Sequence, residues 1–318
     1  MMNIVILDGG AANPGDLSWE NIKQLGTLSV YDSSLQLDVI GRAKGADVLV
    51  VNKVLITEQI LSQLPTVKCI CLLATGYNNI DLDAASKYNV LVCNAVGYAS
   101  ASVAQHVFAM VLSLVNHISE TSRSVHNGRW HQLNKWTFTD FPITELSGKT
   151  LGIYGLGKIG MAVAQVGLGF GMKVIAHKRT RGEAFPNIEL CDVNTLLASC
   201  DILSLHAPLT SETQEFINRS SLSKMKNTAI LINTGRGGLI HEPDLKEALL
   251  HGEIAAAGLD VLSEEPPPKD HILIGLDHCL ITPHQAWAAK ESRQRLIEIV
   301  AENISAFKAG NPVNVITS

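Results

Sequence analysis

The 318-residue sequence predicts an α/β protein of two doubly wound parallel-sheet domains, one inserted in the other, and three observations predict it. Short apolar runs alternate with helix-period stretches along nearly the whole chain, which is the pattern of parallel sheets. A glycine run, Gly155-Leu156-Gly157-Lys158-Ile159-Gly160, directly follows one apolar run and opens a helical pattern. A long amphipathic stretch at 288–309, stopped by Gly310 with Pro312 beyond, supplies a last helix able to return to the first sheet. The length also exceeds what one hydrophobic core usually serves. The domains expected are 1–99 with 288–318, and 100–287.

Taken in order, residues 4–7, 48–51, 69–73 and 90–93 read as strands of the first sheet, with helical spacing at 35–44 and 82–88 between them. Near Ser100 the pattern changes. Ser102 is the expected N-cap of a helix over 103–117, whose apolar residues recur at three and four. An aromatic-rich stretch without strong periodicity follows at 127–142. The second sheet opens at Thr150-Leu151-Gly152-Ile153-Tyr154, and its later strands are expected at 173–176, 202–205, 229–232, 257–259 and 279–281.

Composition narrows the function classes. A net charge of -5 leaves no basic footprint for nucleic acid. The most apolar run, 102–115, is broken by Gln105 and His106, so no membrane span is expected. The amino-terminal residues read as a strand without a basic prelude or cleavage site, which points to the cytoplasm. Cys69 and Cys71, two apart in an apolar run, belong on one strand face as reduced, structural thiols. No His, Cys and acidic set has metal-ligand spacing, so no metal is expected. His126, His131 and His271 lie in polar surroundings and are expected to face solvent.

The glycine run meets the context a dinucleotide loop requires, a strand before and a helix after. Gly155 permits the tight turn, Gly157 the approach of a pyrophosphate, and Gly160 close packing of helix on strand. N–H groups of Lys158, Ile159 and Gly160 then face the phosphates. After the next strand, an acid would read the ribose 2′-hydroxyl of NAD. This chain has His177-Lys178-Arg179-Thr180-Arg181 there, with no carboxylate before Glu183. Cations in that place favour the 2′-phosphate of NADP, with Arg179 the main contact and Lys178 or Arg181 assisting; NAD remains possible.

Further along, Arg236, Glu265 and His284 each follow an expected strand, where open α/β sheets place their ligands. Reducing a 2-keto acid adds hydride to C2 and a proton to the oxygen, so a donor titrating near neutrality is wanted. A neighbouring carboxylate favours the imidazolium form, and a fixed guanidinium holds the acid and steadies charge developing on oxygen.

With these residues in view, the sequence resembles the D-isomer-specific 2-hydroxyacid dehydrogenase family, and within it the members that act on glycerate and hydroxypyruvate. The segments that carry the resemblance are Ala74-Thr75-Gly76-Tyr77-Asn78-Asn79-Ile80-Asp81, Ser102-Val103-Ala104-Gln105-His106, Glu145-Leu146-Ser147-Gly148-Lys149-Thr150-Leu151-Gly152-Ile153, His206-Ala207-Pro208-Leu209-Thr210, Asn233-Thr234-Gly235-Arg236-Gly237-Gly238, Asp260-Val261-Leu262-Ser263-Glu264-Glu265-Pro266 and Thr282-Pro283-His284-Gln285-Ala286-Trp287. The resemblance implies a Rossmann cofactor domain inserted in a discontinuous, flavodoxin-like substrate domain. It implies that Arg236 anchors the substrate, His284 is the acid–base and Glu265 pairs with His284. Ala74, Thr75 and Gly76 complete the carboxylate cradle, Asp260 meets the nicotinamide amide, and His206, Pro208 and Thr234 line the cofactor. It also implies a homodimer, formed through the helix near Ser102 and the aromatic arm with Trp130, Trp136, Phe138 and Phe141.

The expected activity is therefore NAD(P)H-dependent reduction of a small 2-keto acid, hydroxypyruvate or glyoxylate, to the D-2-hydroxy acid. A 3-phosphoglycerate dehydrogenase-like enzyme is one alternative. A nucleotide-sensing, corepressor-like binding protein without turnover is the other.

Overall fold

The computed structural model describes residues 1–179 and 185–316. The chain divides into two compact units, Met1–Ala99 with Trp287–Ser318, and Ser100–Ala286.

The first unit carries a five-stranded parallel sheet of β1 (Asn3–Ile6), β2 (Thr27–Val30), β3 (Val48–Val51), β4 (Cys69–Leu72) and β5 (Leu91–Cys93), in the order β2-β1-β3-β4-β5. All four residues of β3 and of β4 are buried, as both faces of a parallel sheet are covered. Cys69 and Cys71 lie within β4 with sulfurs 3.7 Å apart, and both are free thiols. The expected helix at 35–44 is a 3-10 turn, Gln36–Asp38, followed by the short helix Val39–Ala43. Leu35 and Leu37, which gave that stretch much of its apolar spacing, are exposed.

The carboxyl-terminal helix Lys290–Lys308 belongs to this unit, and polar groups on it are buried for a reason. Arg293 makes a two-pronged bond to Asp16 at 2.7 and 2.8 Å. Asn303 donates to the Asn94 carbonyl (3.0 Å), and the Asn94 amide donates to the Thr75 carbonyl (2.7 Å). The end of the chain thus braces the turn after β4 that contains Ala74, Thr75 and Gly76. Among the described residues, the N–H groups of Thr75 and Gly76 donate to no protein acceptor.

The second unit is a seven-stranded parallel sheet of β6 (Thr150–Tyr154), β7 (Lys173–His177), β8 (Ile188–Leu190), β9 (Ile202–Leu205), β10 (Ile230–Asn233), β11 (Ala256–Leu259) and β12 (Cys279–Ile281). Its order is β12-β11-β10-β9-β6-β7-β8. Helix Ser100–Asn116 starts two residues before the expected N-cap. Ser102 lies inside its first turn, where its hydroxyl donates to the Ala286 carbonyl (2.6 Å) instead of capping. In the aromatic stretch a short helix, Arg129–Leu133, is tied by Arg129 to Asp140 (2.9 Å), and Trp136 is 98% exposed. Among the described residues no single helix is long and apolar enough to cross a membrane.

Candidate active site

The register of the second sheet ends its strands in one row. Ile281 pairs with Leu259, Leu259 with Asn233, Asn233 with Leu205, Leu205 with Tyr154, and Tyr154 with His177. The next residue on each strand therefore leaves the sheet along the same carboxyl edge. These residues are Thr282, Asp260, Thr234, His206, Gly155 and Lys178. The row collects cofactor candidates that lie up to 105 positions apart in sequence from 155 to 260.

The strand order reverses between β6 and β9, and such a switch point opens a crevice for ligands. A cavity of about 430 Å³ lies there, lined among others by Tyr154, Gly157, Lys178, Arg179 and Pro208. Gly155 has φ +100°, and a Cβ on it would come within 2.5 Å of the Ala207 nitrogen, so only glycine serves. Gly157 precedes helix Lys158–Gly169, and nothing stands within 4 Å of where its Cβ would be. No side chain caps that helix, which leaves the N–H groups of its first turn, Lys158, Ile159 and Gly160, turned to the open space. Thr234 adds a buried hydroxyl without a partner among the described residues. An uncapped helix start, an open approach and an orphaned hydroxyl fit a dinucleotide. His206 bonds Ser204 through Nε2 (2.8 Å), and desolvation pushes its pKa down to about 4, so it lines the crevice as a neutral imidazole.

On the other side of the crevice, β10, β11 and β12 carry the reacting candidates. Arg236 follows β10 and is half-buried. Its guanidinium donates to the Gly235 carbonyl (2.7 Å) and, among the described residues, has no carboxylate partner. The Asn233 side chain fixes this turn by donating to the Arg236 carbonyl (2.9 Å) and accepting from the Gly235 N–H (3.0 Å). Glu265 and His284 meet at 2.6 Å between Oε2 and Nδ1. The Leu262 N–H donates to the other Glu265 oxygen (3.1 Å). His284 has φ +50°, a left-handed conformation that costs of order 1 kcal/mol in a non-glycine residue. Its N–H is held by the carbonyls of Asp260 (2.8 Å) and Thr282 (3.0 Å).

Asp260 has a duty the sequence did not show. Only 1% exposed, it accepts from the Thr282 hydroxyl (2.6 Å) and from the N–H groups of Gln285 (2.9 Å) and Ala286 (2.8 Å). His106 of helix Ser100–Asn116 bonds the same Thr282 hydroxyl (2.9 Å). Burial raises the Asp260 pKa, but hydrogen bonds led by those of His106 and Thr282 outweigh it, leaving the carboxyl below its ordinary 3.8. The carboxylate therefore clamps the turn that presents His284.

Of the cations expected to read a 2′-phosphate, Lys178 sits over the Phe185 ring (5.3 Å), and Arg179 is 4.0 Å from Glu212 with both side chains exposed. Arg181 and Glu183 lie outside the described residues. Sequence reasoning missed Glu212, which enters the same cavity from the loop after β9. His271, expected at the surface, is a correction: its side chain is 6% exposed and bonds Glu242 at 3.1 Å. Its partner lies 29 residues away, so the polar neighbours in sequence gave no sign of the pairing.

A dinucleotide crevice beside a guanidinium and a histidine paired with a carboxylate defines an NAD(P)-dependent oxidoreductase. Known proteins agree. Residues 108–286 match the profile of the D-isomer specific 2-hydroxyacid dehydrogenase NAD binding domain. The chain is 41% identical to a hydroxypyruvate reductase of Blautia hydrogenotrophica over 99% of both chains, and 39% identical to a glycerate dehydrogenase of Methylorubrum extorquens over 88% of both. A solved acyclic imino acid reductase, in complex with NADPH and D-Arg, superposes with a TM-score of 0.88 at 31% identity, covering 99% of this chain and all of that one. The chain belongs to the D-isomer-specific 2-hydroxyacid dehydrogenase family, oxidoreductases acting on CH–OH groups.

Proposed function

We propose that the protein reduces hydroxypyruvate or glyoxylate to D-glycerate or glycolate, with NADPH preferred over NADH. The observation that carries the reaction is the 2.6 Å bond between His284 and Glu265, one strand away from an arginine without a carboxylate partner among the described residues. The bound cofactor supplies the hydride to C2. Arg236 binds the substrate carboxylate and carbonyl oxygen, and its charge steadies the developing alkoxide. Glu265 holds Nδ1 of His284, so proton delivery to that oxygen falls to Nε2. The same bond fixes the orientation of the imidazole ring for that transfer. The N–H groups of the turn with Ala74, Thr75 and Gly76 are assigned to the substrate carboxylate. Asp260 and Thr234 are assigned to the nicotinamide end of the cofactor, and His206 and Pro208 to its walls.

The NADPH preference is supported by Lys178 and Arg179 at the end of β7, where the NAD-reading acid would stand. Glu212 opposes it, but an exposed ion pair at 4.0 Å is worth about 0–1 kcal/mol. A 2′-phosphate gripped by a guanidinium exceeds that. Exposed Trp130 and Trp136 support a homodimer, which light scattering at twice the chain mass would verify and a monomeric mass would refute.

Absorbance at 340 nm with glyoxylate, hydroxypyruvate, pyruvate and 3-phosphohydroxypyruvate, each with NADH and NADPH, tests the function. The first two should give the highest kcat/KM. Preference for the phosphorylated acid would assign the enzyme to phosphoglycerate chemistry, and negligible turnover throughout would leave a nucleotide-binding module. A kcat/KM with NADH equal to that with NADPH would refute the cofactor preference.

A further inference from the structure

Glu242 opens helix Glu242–Leu250, and its side chain is only 10% exposed. One oxygen accepts from the Ser263 N–H (2.8 Å); the other accepts from the Ser263 hydroxyl (2.6 Å) and from His271 Nε2 (3.1 Å). A buried carboxylate is tolerated when such donors replace its water. Its place in the fold is what gives it a function. Ser263 stands two residues before Glu265, and Glu242 stands six after Arg236. Between them, the backbone of Leu262 and Ser263 lies so close to Gly237 that a Cβ there would meet the Leu262 carbonyl carbon at 1.9 Å. The segment with Arg236 and the segment with Glu265 are therefore joined twice, at Gly237 and at Glu242.

We propose that Glu242 is a positioning residue that sets the spacing between Arg236 and the His284 and Glu265 pair. It touches neither substrate nor cofactor; it acts through Ser263 on the turn from which Glu265 reaches His284. The inference rests on the reading of Arg236, Glu265 and His284 as the reacting groups. Glu242→Gln keeps the volume and can still accept from the Ser263 N–H, but its amide nitrogen can accept from neither Ser263 Oγ nor His271 Nε2. Geometry loosened by a fraction of an ångström to an ångström costs about 10- to 100-fold in turnover.

The test compares Glu242→Gln and Ser263→Ala with the unaltered enzyme, measuring Tm, NADH and NADPH Kd by fluorescence without substrate, and kcat and KM for hydroxypyruvate. For Glu242→Gln, kcat is expected to fall about 10- to 100-fold and KM to rise, with cofactor Kd within twofold. Ser263→Ala, which removes one of the three bonds, should fall between the two, and it carries the test should Glu242→Gln not fold. A lowered Tm with kcat and KM unchanged would overturn the proposal, since support of the fold alone predicts that. His284→Ala is assayed alongside: if it too keeps full turnover, the reading of the site has failed rather than the role of Glu242.

Discussion

Gly237→Ala is the sharpest perturbation the site offers. The added Cβ would stand 1.9 Å from the Leu262 carbonyl carbon, 2.0 Å from its oxygen and 2.3 Å from the Ser263 nitrogen. Ordinary contact begins at 3.4 Å, so the two segments must part by about 1.5 Å. All three obstructing atoms are backbone and cannot rotate aside as a side-chain tip would. The bonds from Glu242 to Ser263 resist the separation, so the strain passes to the turn that holds Glu265. A misplacement of about 1 Å costs on the order of 10²-fold, and kcat/KM for hydroxypyruvate should fall by at least that much. Cofactor Kd should stay near its original value, because the glycine loop follows β6, two strands away in the sheet order. Gly235→Ala is the control: its Cβ would meet Leu205 O at 3.4 Å, Asn233 Oδ1 at 3.5 Å and Leu239 Cδ1 at 3.6 Å, all ordinary contacts. It should retain activity within about threefold, as volume changes without overlap are mild. Steady-state absorbance at 340 nm separates the two variants, with Tm measured on both. Equal activity in Gly237→Ala and Gly235→Ala would refute the packing argument.

Other outcomes follow from the same geometry. His284→Ala should lower kcat by about 10²–10⁴-fold with cofactor Kd unchanged, and turnover at the original rate would sink its assignment as acid–base. Arg179→Ala should raise the Kd for NADPH more than that for NADH, whereas Glu212→Gln should lower the Kd for NADPH; fluorescence titration reads both, and no change in either would remove this pair from 2′-phosphate recognition. His206 titrates near 6.5 when unfolded and about 4 when folded, so its contribution is complete above pH 6.5. Up to about 3 kcal/mol is lost as the pH falls from 6.5 to about 4, because the unfolded chain there binds the extra proton. Urea unfolding at pH 7.5 and pH 5 should show about 2 kcal/mol of that loss, and His206→Gln should lack it; an identical pH dependence in the variant would contradict the neutral imidazole.

Strands were legible where both faces are covered. The boundaries of β3, β6 and β9 agree with the apolar runs because every residue in a central parallel strand meets a packed layer. β2 and β8 escaped notice: each is an edge strand, and β2 exposes three of its four residues. The glycine loop and the turns after β10, β11 and β12 were legible for a related reason, since special residues immediately follow strands whose ends the burial pattern marks. What stayed hidden depends on contacts between distant segments. Nothing near Glu242 announces Ser263 or His271, and nothing near Glu212 announces Arg179 on another strand end. Asp260 was legible as a conspicuous acid after β11, but its work on the turn with His284 required Thr282, Gln285 and Ala286 to come back beside it.

The row of strand ends also explains why cofactor choice and keto-acid chemistry can vary separately. Lys178 follows β7, Gly155 follows β6, Thr234 follows β10 and Thr282 follows β12. Neighbouring strands stand about 4.8 Å apart, so three steps of the sheet, roughly 14 Å, separate Lys178 from Thr234. Across that edge the assigned groups run in the order of the dinucleotide itself, adenosine, pyrophosphate and nicotinamide, with the proton donor beyond. Sites farther apart than about 7–10 Å that share no partner act nearly additively in free energy. The losses in kcat/KM with NADPH caused by Arg179→Ala and by His284→Ala should therefore multiply in the double variant. A double variant no worse than His284→Ala alone would mean that the two ends of the row are coupled through the bound cofactor, and that adenosine recognition helps to place the reacting end.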